Sequence, residues 1–353
     1  MMKKIFKSLA LVLGVCIALA ATGCGQDLQN GQNGGQNSAN EVYLTAITGP
    51  DAVGSVAADY FLLAEPAVSA QSAKGYFVAG DIQSLYGGEK GYPQAVLVAK
   101  AGLAEECSDW LNDFTQKLDG AAAWLQDASG EEIVSAVNAH MADKDTQSSL
   151  KAALLSQKAI AGCGVRFSYA SKSQAEVESF LTQMRSVNEN AAAIPAKEFY
   201  WNEKDANGSS ETVLPERELT VYMPDGAPAL AMAKFMAEDT QADGVSYQVV
   251  APAMIASKVT NKDENANADL CVLPITAASK LLGNGERYKM LGVVTHGNLY
   301  LISKDGQHIT AENIQILKGK TIGVLQIKEV PGLTLKTVLK KYGLAYKETA
   351  SIN

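Results

Sequence analysis

The feature that most limits what this chain can fold into is an alternation that runs from Glu218 to the end: short apolar runs are separated by stretches of helical periodicity. Strands covered by helices on both faces need apolar side chains on both, so they read as continuous apolar runs. "ELTVYMP" is such a run and "GAPALAMAKFMAE" the helix behind it; "SYQVVAP" with "AMIASKV" and "ADLCVLP" with "ITAASKLL" repeat the unit. "YKMLGVVT" and "NLYLIS" flank His296 and Gly297. A second series opens with "LKGKTIGVLQ" and the helix "GLTLKTVLKKYG", where Gly343 suits a helix stop.

The early part uses the same alphabet: "EVYLTAI", the loop "TGPD", "ADYFLLAEP", "YFVAGDI" and "QAVLVAK". "ADYFLLAEPAVSAQ" at Ala58 is close in pattern to "ADLCVLPITAASK" at Ala268, which marks them as corresponding strand-to-helix units. From Leu103 to about Arg185 the chain reads as mostly helical. "CSDWLNDFTQKLDGAAAWLQ", "SSLKAALLSQKAIA" and "SKSQAEVESFLTQMRS" are the expected helices, the last capped by Ser173 with Glu176 three residues on. Residues 202–217, "NEKDANGSSETVLPER", read as a linker.

Residues 1–23 combine three lysines, an apolar run from Leu9 to Ala21 and small residues before Cys24, the plan of an export signal. A short transmembrane or buried helix is the alternative, but the run falls below the roughly 20 apolar residues that span a bilayer. Residues 24–40, rich in Gln, Asn and Gly, read as a flexible tether. Removing the signal takes away Lys3, Lys4 and Lys7, so the formal charge of −8 becomes −11, which argues against nucleic acid as a partner. Cys107, Cys163 and Cys271 permit at most one disulfide. His140, His296 and His308 share no metal-binding motif, so no metal or other cofactor is expected.

Enzyme signals fail in detail. "GKT" at Gly319 to Thr321 ends like a phosphate-binding loop, but the first glycine of that motif would fall at Ile314, and the lysine precedes its strand. Ser148 and Lys151 have S-x-x-K spacing without the companion motifs. No catalytic residues are therefore expected.

In "VYMPDGAPALAMAKFM", "ADLCVLPITAASKLL", "LKGKTIGV", "LKKYGL" and "ADYFLLAEPAVS" the chain resembles solute-binding lipoproteins of ABC transporters with the type II periplasmic binding protein fold, nearest the nitrate/sulfonate/taurine and thiamine-precursor binders (NMT1/THI5-like). "AATGC" likewise resembles a bacterial lipobox, which would place a lipid on Cys24 and the protein outside the cytoplasm on the membrane. The resemblance implies an α/β fold of two lobes, each a mainly parallel sheet flanked by helices. In such proteins the unit at Glu218 comes first, so here the two halves stand in circularly permuted order. One lobe would comprise 41–92 and 299–353, the other 93–298, with Asn353 near Glu41.

Ligands of open α/β sheets bind at the carboxyl ends of the strands. That rule and the resemblance together select Asp225, Gly226, Ala227 and Pro228, then Pro274, Ile275 and Thr276, then Thr295 and His296 on one wall. Gly49, Pro50, Glu65, Pro66, Gln326 and Gly332 would form the other. Each has a plainer reading: Asp225 or Thr276 as a helix cap, His296 as a structural histidine, Glu65 as an acid favoured by a helix start. The implied function is capture of a small polar or anionic solute by a monomer and its delivery to an ABC permease. The rivals are an enzyme on the same fold, of thiamine-pyrimidine-precursor type, and a receptor feeding a sensor protein.

Overall fold

The computed structural model describes residues 39–87, 91–203, 217–238 and 244–349. The export signal, Cys24, most of the tether and of the linker, and Asn353 lie outside these residues. The strands are β1 Glu41–Ile47, β2 Tyr60–Ala64, β3 Phe77–Asp81, β4 Pro93–Lys100, β5 Val165–Tyr169, β6 Leu219–Pro224, β7 Val245–Val250, β8 Leu270–Pro274, β9 Tyr288–His296, β10 Leu299–Ser303, β11 Thr321–Leu325 and β12 Ala345–Thr349. The helices are α1 Ala67–Ser72, α2 Ile82–Tyr86, α3 Ala101–Glu106, α4 Ser108–Asp127, α5 Gly130–Ala139, α6 Gln157–Gly162, α7 Ala170–Val187, α8 Ala227–Leu230, α9 Ala233–Ala237, α10 Ile275–Leu282 and α11 Val330–Lys341.

The strands form two sheets of six, in the orders β12-β1-β11-β2-β10-β3 and β5-β9-β4-β8-β6-β7. Every strand of the first sheet lies in 41–92 or 299–353, and every strand of the second lies in 93–298. Five strands of each follow one plan. β1, β11 and β2 pair in parallel and β10 runs against both β2 and β3; β7, β6 and β8 pair in parallel and β4 runs against both β8 and β9. β12 extends the first sheet and β5 the second.

The mixed α/β expectation holds, but the second sheet is not mainly parallel: three of its five pairings are antiparallel. The reason lies in the crossings. The chain leaves the first sheet after β3 and enters the second as β4; it leaves the second after β9 and returns as β10. A strand that enters at the carboxyl edge of its new neighbours must run against them.

Central strands are the uninterrupted apolar ones: Val96, Leu97 and Val98 of β4 are wholly buried, between β8 and β9. One continuous core joins the sheets, holding Leu44 and Leu62 of the first, Val96 and Met290 of the second, and Phe180 and Val338 of α7 and α11 between them. Lys340 of α11 also donates to the last-turn carbonyl of Ser186 in α7, at 2.8 Å. A second core lies under α4 and α5, against the other face of the second sheet.

Matching clamps close the amino edges. Asp59, just before β2, donates its N–H to Thr321 O and accepts Thr321 N–H on Oδ2, at 2.9 and 2.8 Å. Asp269, just before β8, does the same with Thr220, at 3.1 and 3.0 Å.

Several helices differ from expectation. "SSLKAALLSQKAIA" breaks into a single 3-10 turn at Ala152–Leu154 and α6, because Ser148 is tied to Asp225 and Ser156 restarts the helix by accepting Ala159 N–H. β5 interrupts the helical stretch. Ser173 is no cap: α7 starts at Ala170, and the Ser173 hydroxyl donates to Tyr169 O four residues back. "GAPALAMAKFMAE" splits into α8 and α9, and the segment behind β7 is the 3-10 helix Pro252–Lys258. α11 does end as expected: Gly343 takes φ +68°, and Leu344 N–H reaches back to Leu339 O.

Candidate functional site

The carboxyl edge of the second sheet consists of the ends of β6, β7 and β8 and the start of β4, since Ala95 pairs with Pro274 and Pro93 with His296. The same edge of the first sheet consists of the ends of β1, β11 and β2 and the start of β10, since Leu299 pairs with Ala64. Only Gly297 and Asn298 separate β9 from β10, so the two edges meet there. Asp225 to Pro228, Pro274 to Thr276, Thr295 and His296 lie at the first of these edges; Gly49, Pro50, Glu65, Pro66 and Gln326 lie at the second. Gly332 sits in the first turn of α11, where a Cβ would stand 2.1 Å from Ile327 O, so a glycine is needed for the helix to pack on the loop.

Glu65 follows β2 through a cis bond to Pro66 and donates its N–H to Asn298 O at 3.1 Å. The residue is 9% exposed, and its carboxylate accepts both the Ser69 N–H and the Ser69 hydroxyl at 3.0 Å. Burial pushes its pKa up, against the pull of Ser69 and Lys158. It packs against Gly162 of α6. Tyr300 stands beside it and donates to Gly162 O at 3.3 Å. The bonds from Ser69 in α1 match the helix-start reading; the contact with Gly162 goes beyond it.

Asp225 does not cap α8, whose cap position is Gly226. Its carboxylate takes the Ser148 hydroxyl on one oxygen and the Ser149 N–H on the other, at 2.5 and 2.7 Å. Asp225 thereby fastens the loop before α6 to the end of β6. Gly226 adopts φ +103° and a Cβ there would meet nothing within 4 Å, so the backbone is open to approach at this turn. Thr276 is buried in the first turn of α10, whose cap position is Pro274. Gln326 is the one non-glycine residue with positive φ, +56°, among the described residues, and it ends β11. Such a conformation in a side-chain-bearing residue is sparsely populated and concentrates at binding sites and turns.

The crossings are held by residues that sequence reasoning missed. Gln83 Oε1 accepts Leu299 N–H at 2.9 Å and the Tyr92 hydroxyl at 3.4 Å, so one amide ties both crossings together. A Cβ on Gly297 would stand 2.6 Å from the Tyr92 ring, and one on Gly164 would stand 2.4 Å from His296 O. His296 is buried, and its backbone N–H donates to Gly164 O at 2.8 Å. Gln94 Oε1, Thr295 Oγ1 and Asn298 Oδ1 are buried without a hydrogen-bond partner among the described residues. Buried polar atoms are unfavourable unless paired, so this seam has hydrogen-bonding capacity that the fold itself does not use. Of this seam the strand ends select Thr295 and His296 from the sequence, while Gln83, Tyr92, Gln94, Gly164 and Asn298 come from the structure alone.

Cavities open away from this seam. One of about 740 Å³ opens at the amino edge of the first sheet beside Asp59, Tyr76, Lys304 and Lys320. Another of about 380 Å³ opens at the amino edge of the second beside Lys100, Arg217 and Arg287. Among the described residues no cluster of three or more His, Cys, Asp or Glu is placed to hold a metal ion, and no helix is long and apolar enough to cross a membrane. No protein-family model, curated protein or solved structure matches the chain.

Proposed function

We propose that the protein is an extracytoplasmic solute-binding lipoprotein of an ABC importer, with a circularly permuted type II periplasmic binding fold. One observation carries this reading: two sheets of the same five-strand plan are joined by two crossings at their carboxyl edges. Open α/β sheets bind ligands at that edge, and two such edges meeting at crossings form a cleft between two lobes that close on a small solute. The open turn at Gly226, the strained Gln326 and the unpaired atoms of Gln94, Thr295 and Asn298 are the groups expected to meet the solute. Asp225 and Glu65 shape the walls through their bonds to Ser148, Ser149 and Ser69. A lipid on Cys24 would hold the body at the membrane, where the closed form docks on the permease.

A thermal-shift screen of the full chain against sulfonates, nitrate-like anions, pyrimidines and amines tests the reading. A ligand at 100 times its Kd adds about 2.7 kcal/mol of stability, and it must be recovered unchanged. Consumption of the ligand would replace the receptor by an enzyme.

A further inference from the structure

We propose that Glu65 and Tyr300, at the edge of the first sheet, and Gly162, in α6 beside the second, form a latch that holds the two carboxyl edges together and closes in a pH-dependent way. This rests on the two-lobed reading above. A Cβ on Gly162 would stand 3.0 Å from Glu65 Cγ and 3.2 Å from Tyr300 Oη, so a side chain at residue 162 would press on both groups by a few tenths of an ångström. Position 162 is helical, where alanine is intrinsically favoured over glycine. Local preference therefore opposes glycine, and the close contact with Glu65 and Tyr300 favours it.

The groups around Glu65 divide by side. Ser69 lies in α1, on the same side as Glu65, so its two bonds survive if the edges part. Gly162, Cys163 and Lys158 belong to the other side and move away. Tyr300 travels with Glu65, and its hydroxyl also feels Asp81 on β3 and Gln83 on α2. Burial pushes the Tyr300 hydroxyl and the Cys163 thiol up to about 12, so both stay neutral across the physiological range.

Opening returns the Glu65 carboxylate to water and removes the burial that raises its pKa. The closed form thus binds the Glu65 proton more tightly than the open form. By linkage, closing is favoured as pH falls and weakened as pH rises through the closed-state value. Lys158 works against this by favouring the charged carboxylate, and it limits the size of the effect.

The test is a distance distribution by pulsed electron paramagnetic resonance on the full chain, with spin labels at the exposed Lys74→Cys and Asp145→Cys positions. A short and a long distance are expected, with the short one gaining as pH falls from about 8 toward the ordinary carboxylate value of 4.5. Glu65→Gln should keep the short distance at both pH values and lose the dependence. Gly162→Ala should shift the ratio toward the long distance about fivefold or more, and Tyr300→Phe, which removes only the hydroxyl, should shift it the same way. Two distances whose ratio ignores all three substitutions would overturn the latch. A single distance in every sample would instead overturn the two-lobed reading.

Discussion

Asp59 and Asp269 occupy the same place in two sheets of the same plan, and each exchanges a pair of hydrogen bonds with the middle strand of its parallel set. Their side chains live in different worlds. The side chain of Asp59 is 37% exposed, and besides the Thr321 N–H its carboxylate meets Lys320, itself 46% exposed, at 3.1 Å. That of Asp269 is 3% exposed, receives both Arg217 terminal nitrogens at 2.7 and 2.8 Å, and has Lys100 at 3.1 Å. Burial alone would raise the pKa of Asp269, but Arg217, the Thr220 N–H and Lys100 outweigh it and hold the value at about 2. The backbone device is thus shared, while its energetic weight is set by what covers it. An exposed ion pair contributes little, whereas a buried charge that loses its partners is strongly destabilising.

The largest expected break in this comparison is Asp269→Asn. It leaves Arg217 and Lys100, 56% and 21% exposed, without their counter-charge and should cost about 2 kcal/mol in urea unfolding. A loss no greater than that for Asp59→Asn would mean that burial is not the difference. Acid comes next. Because the folded-state pKa of Asp269 is depressed from 3.8 to about 2, its contribution is complete above about pH 4 and lost as pH falls toward 2. The wild type should lose about 2 kcal/mol over that window relative to Asp269→Asn, which should lack this part of the slope. Asp59→Asn should cost about 1 kcal/mol, chiefly through the weakened bond to Thr321 N–H. Smallest is Lys320→Ala, at about 0.5 kcal/mol or less and fading in high salt.

Legibility in the sequence followed burial. β4, β8 and β11 announced themselves because both faces are covered and every position is selected for apolarity. β5, "VRFSY", hid inside a helical stretch because an edge strand is only half covered, and Arg166 and Ser168 broke the apolar run. The site divided the same way. The turns after β6 and β11 could be read from glycine, proline and strand ends, while Gln83, Tyr92, Gly162 and Tyr300 carry no local sign of their partners. Asp225 was found for its position, but its bond to Ser148 joins residues 77 apart and could not be read.

By itself, the sequence determined an alternating α/β chain, the kinship of the segments at Ala58 and Ala268, and the stopping of α11 at Gly343. These depend on the polarity and backbone freedom of neighbouring residues. Only the tertiary structure decided that Glu65 faces Gly162, that β4 and β10 run against their neighbours, and that one "Ala-Asp" is exposed while the other is sealed under Arg217 and Lys100. A dipeptide cannot record which distant side chains will reach it, and the strength of a charge depends on the groups that replace its water.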